Sequence, residues 1–255
     1  MEYGKLFDLT DKHVVVVGGG SGIGEASSLA LAAYGARVTV ADRDLAAAEA
    51  TCAQGDGLSA YSLDVLDDAA IARAAAELGD VDALVFTAAT NVRKRVLDYT
   101  SEEFDRVIAL NLRASFTLIR EFGAPMAARG SGSIVGFSSI RGTVVEPGQS
   151  VYAASKAGLV QLLRTAAAEL GPQGVRCNAI APGPVDTPLT KQLQDNTEWR
   201  DAYANKSAFG RWAQPIEMAG AVVYLCSDAS SFVTGAVIPV DGGWTAIDGR
   251  FDPPN

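Results

Sequence analysis

Short, continuously apolar runs recur along the chain, each followed by an alanine-rich stretch with helical spacing, and this rhythm constrains the fold most. The runs His13–Val17, Arg37–Ala41, Leu58–Leu63, Asp82–Thr87, Gly132–Ser138, Val175–Ile180 and Ala236–Val240 read as strands. They do not alternate apolar with polar residues, so they suit parallel strands covered on both faces. Helices are expected over Gly22–Tyr34, Asp44–Gln54, Asp67–Leu78, Ser101–Arg129, Val151–Leu170 and Pro215–Ser227, with Asp44, Asp67 and Ser101 as caps. The repeated strand–helix–strand order implies an α/β fold, a doubly wound parallel sheet with helices on both faces. With 255 residues, no internal repeat and no linker-like stretch, one domain over 1–255 is expected. One segment breaks the rhythm: residues 184–212 are polar, carry Trp199, Tyr203 and Trp212, and read as a surface loop or a small helical lid over a substrate.

Other features exclude whole classes of chemistry. The formal net charge of -9 argues against a nucleic-acid partner. Cys52, Cys177 and Cys226 are odd in number and not closely paired, which suits a reducing compartment better than a disulfide framework. His13 is the one histidine and reads as structural, so Ser-His-Asp triads, Cys-His pairs and His-based metal sites lack a component. No metal is expected. The run Val14–Val17 is too short for a signal-peptide core or a membrane span, so a cytoplasmic protein with no membrane partner is expected.

The first strand runs into Gly18-Gly19-Gly20-Ser21-Gly22-Ile23-Gly24 and then a helix. Glycines spaced at such a turn let the backbone approach a pyrophosphate, and the helix N-terminus offers free N–H groups to it. Asp42 ends the second strand, where a carboxylate accepts hydrogen bonds from ribose hydroxyls and repels a 2′-phosphate. This favours NAD over NADP, although Arg43 follows and softens the repulsion. Tyr152 and Lys156 stand at i and i+4, on one face of a helix. A neighbouring Lys⁺ and an oxidised nicotinamide favour the phenolate, so Tyr152 becomes a proton acceptor for an alcohol, or a donor in the reverse direction. Ser139 ends a buried strand, where a hydroxyl steadies a carbonyl or alcohol oxygen. Asn111 lies mid-helix despite poor propensity there, which suggests a polar task such as holding a water.

Taken in order, the glycine turn, Asp42, Asp64-Val65, Asn111, Ser139, Tyr152, Lys156, Pro182-Gly183 and Val240-Asp241-Gly242-Gly243 resemble the short-chain dehydrogenase/reductase family, from about Leu9 to Trp244. The resemblance implies a Rossmann-type fold. It also implies that Ser139 positions the substrate oxygen, Tyr152 is the acid/base, and Lys156 tunes Tyr152 and holds the nicotinamide ribose. Asn111 would support a water-linked proton relay. The cofactor-binding set it implies is Gly18, Ser21, Gly22, Ile23, Gly24, Asp42, Arg43, Ala88, Tyr152 and Lys156, with Asp64 and Val65 beside the adenine. Pro182, Gly183, Val185 and Thr187 would hold the nicotinamide end. Two departures stand out: Val17 replaces the family's threonine before the first glycine, and Phe86-Thr87-Ala88-Ala89 replaces its Asn-Asn-Ala-Gly. Apolar packing is expected to take over part of the hydrogen bonding lost there.

The stretches Asn91-Val92-Arg93-Lys94, Ser139-Ile140-Arg141-Gly142 and Gly210-Arg211-Trp212 are similar to those of sugar-acid and polyol dehydrogenases of the gluconate 5-dehydrogenase type. Arg141, two residues past Ser139, is placed to meet an anionic substrate group, and Arg93 and Gln149 are further polar candidates. A surface arginine in a salt bridge reads the same way. The expected function is NAD-dependent interconversion of a secondary alcohol and a ketone on a sugar acid, polyol or similar hydroxylated small molecule. A 3-oxoacyl thioester reductase is the alternative enzyme, and a non-catalytic cofactor-sensing or scaffold protein the alternative of another class. The resemblance further implies a homotetramer or homodimer paired through Ser101–Arg129 and Val151–Leu170. The tail from Asp248-Gly249-Arg250-Phe251 to Asn255 would reach a neighbouring subunit.

Overall fold

In the computed structural model, which describes residues 3–248, all seven expected strands join one sheet. They are β1 His13–Val17, β2 Arg37–Asp42, β3 Leu58–Ser62, β4 Ala83–Phe86, β5 Gly132–Phe137, β6 Val175–Pro182 and β7 Val237–Val240. The order is β3-β2-β1-β4-β5-β6-β7, and every neighbouring pair is parallel. The strand β1 shows why its run is continuously apolar. Val15 and Val17 pack into one core cluster, Val14 and Val16 into the other, and all four are buried. Chain order reverses between β1 and β4, so a crevice opens beyond the carboxyl ends of these two strands.

Helices cover both faces. The helices α1 Gly22–Ala33, α2 Leu45–Cys52 and, later, α9 Ile216–Cys226 lie on the face of Val14 and Val16. On the other face lie α3 Asp68–Leu78, α4 Ser101–Ile108, α5 Ala114–Arg129 and α6 Ser150–Leu170, with Ile71, Phe122, Leu159 and Leu163 fully buried there. Asp44 and Asp67 cap α2 and α3 as expected, accepting from the N–H groups of Ala47 and Ala69. The cap of α4 is Thr100, not Ser101. Thr100 Oγ1 accepts from Glu103 N at 3.2 Å while Glu103 Oε2 accepts from Thr100 N at 3.1 Å, a reciprocal pair that Ser101 has no glutamate to complete.

The helix expected over Ser101–Arg129 is not uniform. Between α4 and α5 the five residues Ala109–Arg113 form a π-helical turn with Asn111 at its centre. Such turns insert an extra residue and re-aim a side chain, often at a functional site. The segment 184–212, expected as a surface loop or helical lid, is largely helical, with a short turn at Pro188–Thr190 followed by α7 Lys191–Gln194 and α8 Thr197–Lys206. Its base is closed by a bridge between Val185 and Ala213.

His13 is buried at the opposite end of β1 from the crevice. Its Nε2 lies 2.9 Å from Thr39 Oγ1 and its Nδ1 3.2 Å from the Asp80 carbonyl, and burial holds its pKa below the usual value. Among the described residues no helix is long and apolar enough to cross a membrane, and no group of three or more acidic, His or Cys residues could hold a metal. Residues 249–255, to which the sequence assigned a contact with a neighbouring subunit, lie outside those described.

Candidate active site

The turn after β1 packs so closely against its neighbours that several of its positions have no room for a side chain. Gly18 has φ +80, and a Cβ there would lie 2.8 Å from Thr87 Oγ1 and 2.9 Å from the Ala88 amide nitrogen. Gly24, in the first turn of α1, would place a Cβ 2.0 Å from the Gly18 carbonyl oxygen. Gly22 has φ +54 and faces the Thr187 side chain, where a Cβ would meet Cγ2 at 3.3 Å. Ser21 caps α1 only by its backbone, with no side-chain hydrogen bond to the first-turn N–H groups. An N-terminus left open in this way, beside a glycine turn, fits a pyrophosphate.

Asp42 borders this turn. Its Oδ2 accepts from Gly20 N at 3.0 Å and its Oδ1 from Asp44 N at 3.1 Å, so the carboxylate both shapes the glycine turn and edges the crevice. Arg43 beside it is exposed. After β3, Asp64 Oδ1 accepts from Leu66 N at 2.9 Å and Val65 is buried. Across the crevice, Pro182 ends β6. Gly183 packs so closely that a Cβ would stand 2.8 Å from Asp241 Cα, and Asp241 in turn accepts from the N–H groups of Gly243 and Thr245. Val185 is buried and Thr187 is tied to Thr190. This frame offers the tight backbone turn and the uncapped N–H donors that a dinucleotide needs.

The departure at Phe86-Thr87 is resolved differently at its two positions. Phe86 packs apolar as expected, its ring filling the space that a Gly136 side chain would need, since a Cβ there would meet Phe86 Cζ at 2.7 Å. Thr87 keeps part of the hydrogen bonding. Its hydroxyl lies within reach of the carbonyls of Val17 at 3.2 Å and Gly18 at 3.1 Å, so a side-chain hydrogen bond still ties β4 to the glycine turn.

Ser139 follows β5, and Tyr152 and Lys156 occupy the first two turns of α6, so the three meet at the crevice mouth. The Ser139 oxygen accepts from Arg141 N at 3.1 Å. Lys156 is buried; its Nζ donates to the Phe137 carbonyl at 2.7 Å and stands 5.6 Å from the Tyr152 ring centre. Burial lowers the Lys156 pKa to about 8. Burial also pushes the Tyr152 phenol up, while the Ser139 hydroxyl, Arg93 and Arg141 pull it down. Among the protein's own groups the net direction for Tyr152 is therefore upward, opposite to the expectation drawn from the Lys156 charge. Desolvation of the phenol is the largest effect and outweighs the Ser139 hydrogen bond and the charges of Arg93 and Arg141.

Asn111 is buried in the π turn with its amide fully engaged. Its Oδ1 accepts from Thr90 N at 2.8 Å, and its Nδ2 donates to the Thr90 carbonyl at 2.9 Å and to Ser155 Oγ at 3.1 Å. Its side chain thus clamps the chain after β4 to the first turns of α6.

A cleft continues from Ser139 and Tyr152 toward the lid. It is lined by Asn91, Arg93, Arg141 and Gln149 on one side and by Leu189, Leu193, Tyr203 and Trp212 of the lid and its base on the other. Arg141 is buried and paired with Glu146. The lid is held by rings: Tyr203 stacks between Trp199 and Trp212, at 6.3 and 5.4 Å, and tilts over Trp244 at 5.4 Å.

The comparisons with known proteins agree with this geometry. A family model described as Enoyl-(Acyl carrier protein) reductase matches residues 18–245. Galactitol 2-dehydrogenase (L-tagatose-forming) of Cereibacter sphaeroides is 38% identical over 252 residues, spanning 96% of this chain and 99% of that protein. Cis-4-hydroxycyclohexanecarboxylate dehydrogenase of Sinomonas cyclohexanicum is 40% identical over 245 residues, 93% of this chain and 98% of that one. The chain belongs to the short-chain dehydrogenase/reductase family. A gluconate 5-dehydrogenase from Burkholderia cenocepacia, solved in complex with NADP and tartrate, superposes with TM-score 0.91 at 29% identity, covering 95% of this chain and 98% of the other. The protein is thus a Rossmann-type oxidoreductase acting on CH–OH groups.

Sequence reasoning missed several residues of this short-chain dehydrogenase/reductase. Glu146 was one, although an acidic residue between Ser139 and Tyr152, five positions after Arg141, is a visible signal. Asn91 is legible only through likeness, Trp212 through likeness and lid composition, and Tyr203 only as lid composition. Aromatic residues in an otherwise polar insertion are what a lid needs to close on.

Proposed function

We propose that this protein interconverts a secondary alcohol and a ketone on a small hydroxylated molecule, a polyol, sugar acid or similar compound, with NAD as the preferred cofactor. The observation that carries the reading is the meeting of Ser139, Tyr152 and Lys156 where the glycine-turn crevice opens into the lid cleft. Gly18, Ser21, Gly22, Ile23 and Gly24 would hold the pyrophosphate, with Ala88 beneath the turn, Asp42 and Arg43 at the adenosine ribose, and Asp64 and Val65 at the adenine. Pro182, Gly183, Val185 and Thr187 would hold the nicotinamide end. The bound nicotinamide supplies the hydride acceptor or donor.

The chain's own residues manage the oxygen and its proton. Ser139 donates to or accepts from the reacting oxygen and fixes its direction. Tyr152 accepts the alcohol proton during oxidation and donates it during reduction. Lys156, already held by the Phe137 carbonyl, places its ammonium beneath the Tyr152 ring and reaches the nicotinamide ribose. Asn111 acts by position, since its amide is spent on Thr90 and Ser155.

The test is reduction of NAD⁺ and NADP⁺ across a panel of polyols, sugars and their acids. NAD⁺ is expected to be favoured, and Asp42→Ala to narrow that preference by about 10- to 100-fold, the worth of a lost hydrogen bond to a charged group. Preference for NADP⁺ in the wild type overturns the cofactor assignment, and absence of turnover across the panel overturns the function.

We further propose a homodimer or homotetramer. Ile108, Leu112, Phe116 and Leu162 line an open apolar groove across α4, α5 and α6, with Phe116 47% exposed. Light scattering is expected to give the mass of two or four chains; the mass of one overturns it.

A further inference from the structure

Glu146 lies behind the wall of the cleft, with four side chains that line the cleft turned toward it. Its Oε2 pairs with Arg141 Nη2 and accepts from Gln149 Nε2 at 2.8 Å and from the Tyr203 hydroxyl at 2.5 Å. Its Oε1 stands 3.9 Å from Arg93 Nη1. The Arg141 guanidinium is 5.8 Å from the Tyr203 ring centre and 5.5 Å from that of Trp244, and only 8% of the residue is exposed. An arginine fixed against aromatic faces, with a second arginine nearby, is a receptor for a carboxylate. In this chain the receptor is already filled, from within, by Glu146.

Asn91 points the same way. Its Nδ2 donates to Gln149 Oε1 at 3.1 Å, while its Oδ1 is buried with no hydrogen-bond partner. Asn91 lines the cleft, and an orphaned acceptor there is satisfied by a hydroxyl, not by another anion. The acceptors Glu146 and Asn91 thus ask for O–H donors and penalise negative charge.

We infer that Glu146 is the specificity-determining residue of this cleft, occupying the Arg141–Arg93 receptor so that uncharged polyhydroxylated alcohols are taken in preference to their carboxylate-bearing counterparts. The inference rests on the alcohol–ketone reading above and narrows its substrate class. A substrate carboxylate brought to this wall would meet arginines whose charge Glu146 already offsets and would stand close to the Glu146 charge, and like charges brought together at a binding surface are strongly disfavoured. The substitution Glu146→Gln keeps the size and an oxygen for Tyr203 but frees the arginines.

The experiment compares kcat and KM for matched pairs, a polyol and the sugar acid of the same configuration, in the full-length enzyme with NAD⁺. The wild type is expected to favour the neutral member by about 100-fold or more in kcat/KM. Glu146→Gln is expected to shift the ratio toward the acid by a similar factor, about 100-fold, mainly through a lower KM for the acid. The double variant Glu146→Gln/Arg141→Met is expected to lose that gain, which separates a freed receptor from a loosened lid. An unchanged ratio in Glu146→Gln overturns the inference. So does a wild type that prefers the acid, a result that needs no variant to fold. Turnover of neither member with either cofactor overturns the parent reading instead.

Discussion

Replacement of Tyr152 by phenylalanine is expected to lower kcat by about 10²- to 10⁴-fold, the usual contribution of a positioned acid/base, while NAD⁺ binding stays close to wild type. The ring remains, and with it the surface under which Lys156 stands 5.6 Å from the ring centre. Only the hydroxyl beside Ser139 is lost. The pH dependence supplies a second readout, and its sign follows from the direction of catalysis. Alcohol oxidation needs Tyr152 without its proton, so its rate rises with pH; ketone reduction needs the proton, so its rate falls. Burial pushes the Tyr152 pKa up in the protein alone, and Lys156 beneath it titrates near about 8. Tyr152→Phe is expected to remove the limb that belongs to the phenol from both profiles. A variant retaining a tenth or more of wild-type kcat, roughly the loss a mere packing change could cause, contradicts the assignment.

The second large effect is expected at Gly24. An alanine there would set its Cβ 2.0 Å from the Gly18 carbonyl oxygen, backbone against side chain with no flexible end to move. The N-terminus of α1 must then part from the end of β1, and overpacking of this kind costs about 3 kcal/mol or more. For a chain of this length that lowers Tm by roughly 6–12 °C. The same displacement misdirects the first-turn N–H groups, so NAD⁺ affinity measured by calorimetry is expected to fall with it. Gly220 in α9 is the contrast. A Cβ added there meets nothing within 4 Å, so Gly220→Ala should hold or raise stability, by up to about 1 kcal/mol. Equal thermal behaviour of the two variants would contradict the close approach at the glycine turn.

Much of the fold was legible because its signals are local. Val14 to Val17 of β1 each face one of two cores, so that stretch had to be apolar throughout. Asp44 and Asp67 cap helices through contacts two or three residues away. The same locality explains the errors. The choice of Thr100 over Ser101 depends on Glu103 reaching back, and both residues are acceptable caps until that geometry is set. The π turn at Ala109–Arg113 has no signature of its own; it exists because Asn111 satisfies the Thr90 backbone 21 positions earlier in sequence. The hydrogen bonds of Thr87 are hidden for a similar reason, since its partners, the carbonyls of Val17 and Gly18, belong to another strand's end.

The reacting groups were legible as an ordered set, while their electrostatics were not. The spacing of Tyr152 and Lys156 places them on one face, but how far burial outweighs charge depends on what covers α6. The substrate end was least legible. Arg141 looked the same whether it awaited an anion or already held one, and only the tertiary structure brings Glu146, Gln149 and Tyr203 to its side.

The ring stack over the cleft has an optical consequence. All three tryptophans of the chain, Trp199, Trp212 and Trp244, gather around Tyr203. None lies in the sheet or among the helices that cover it. The tryptophan emission of the molecule therefore comes from this one corner, and its colour and lifetime report how α8 is seated over the cleft. The protein carries its own unlabelled probe of lid movement, silent to events elsewhere in the fold.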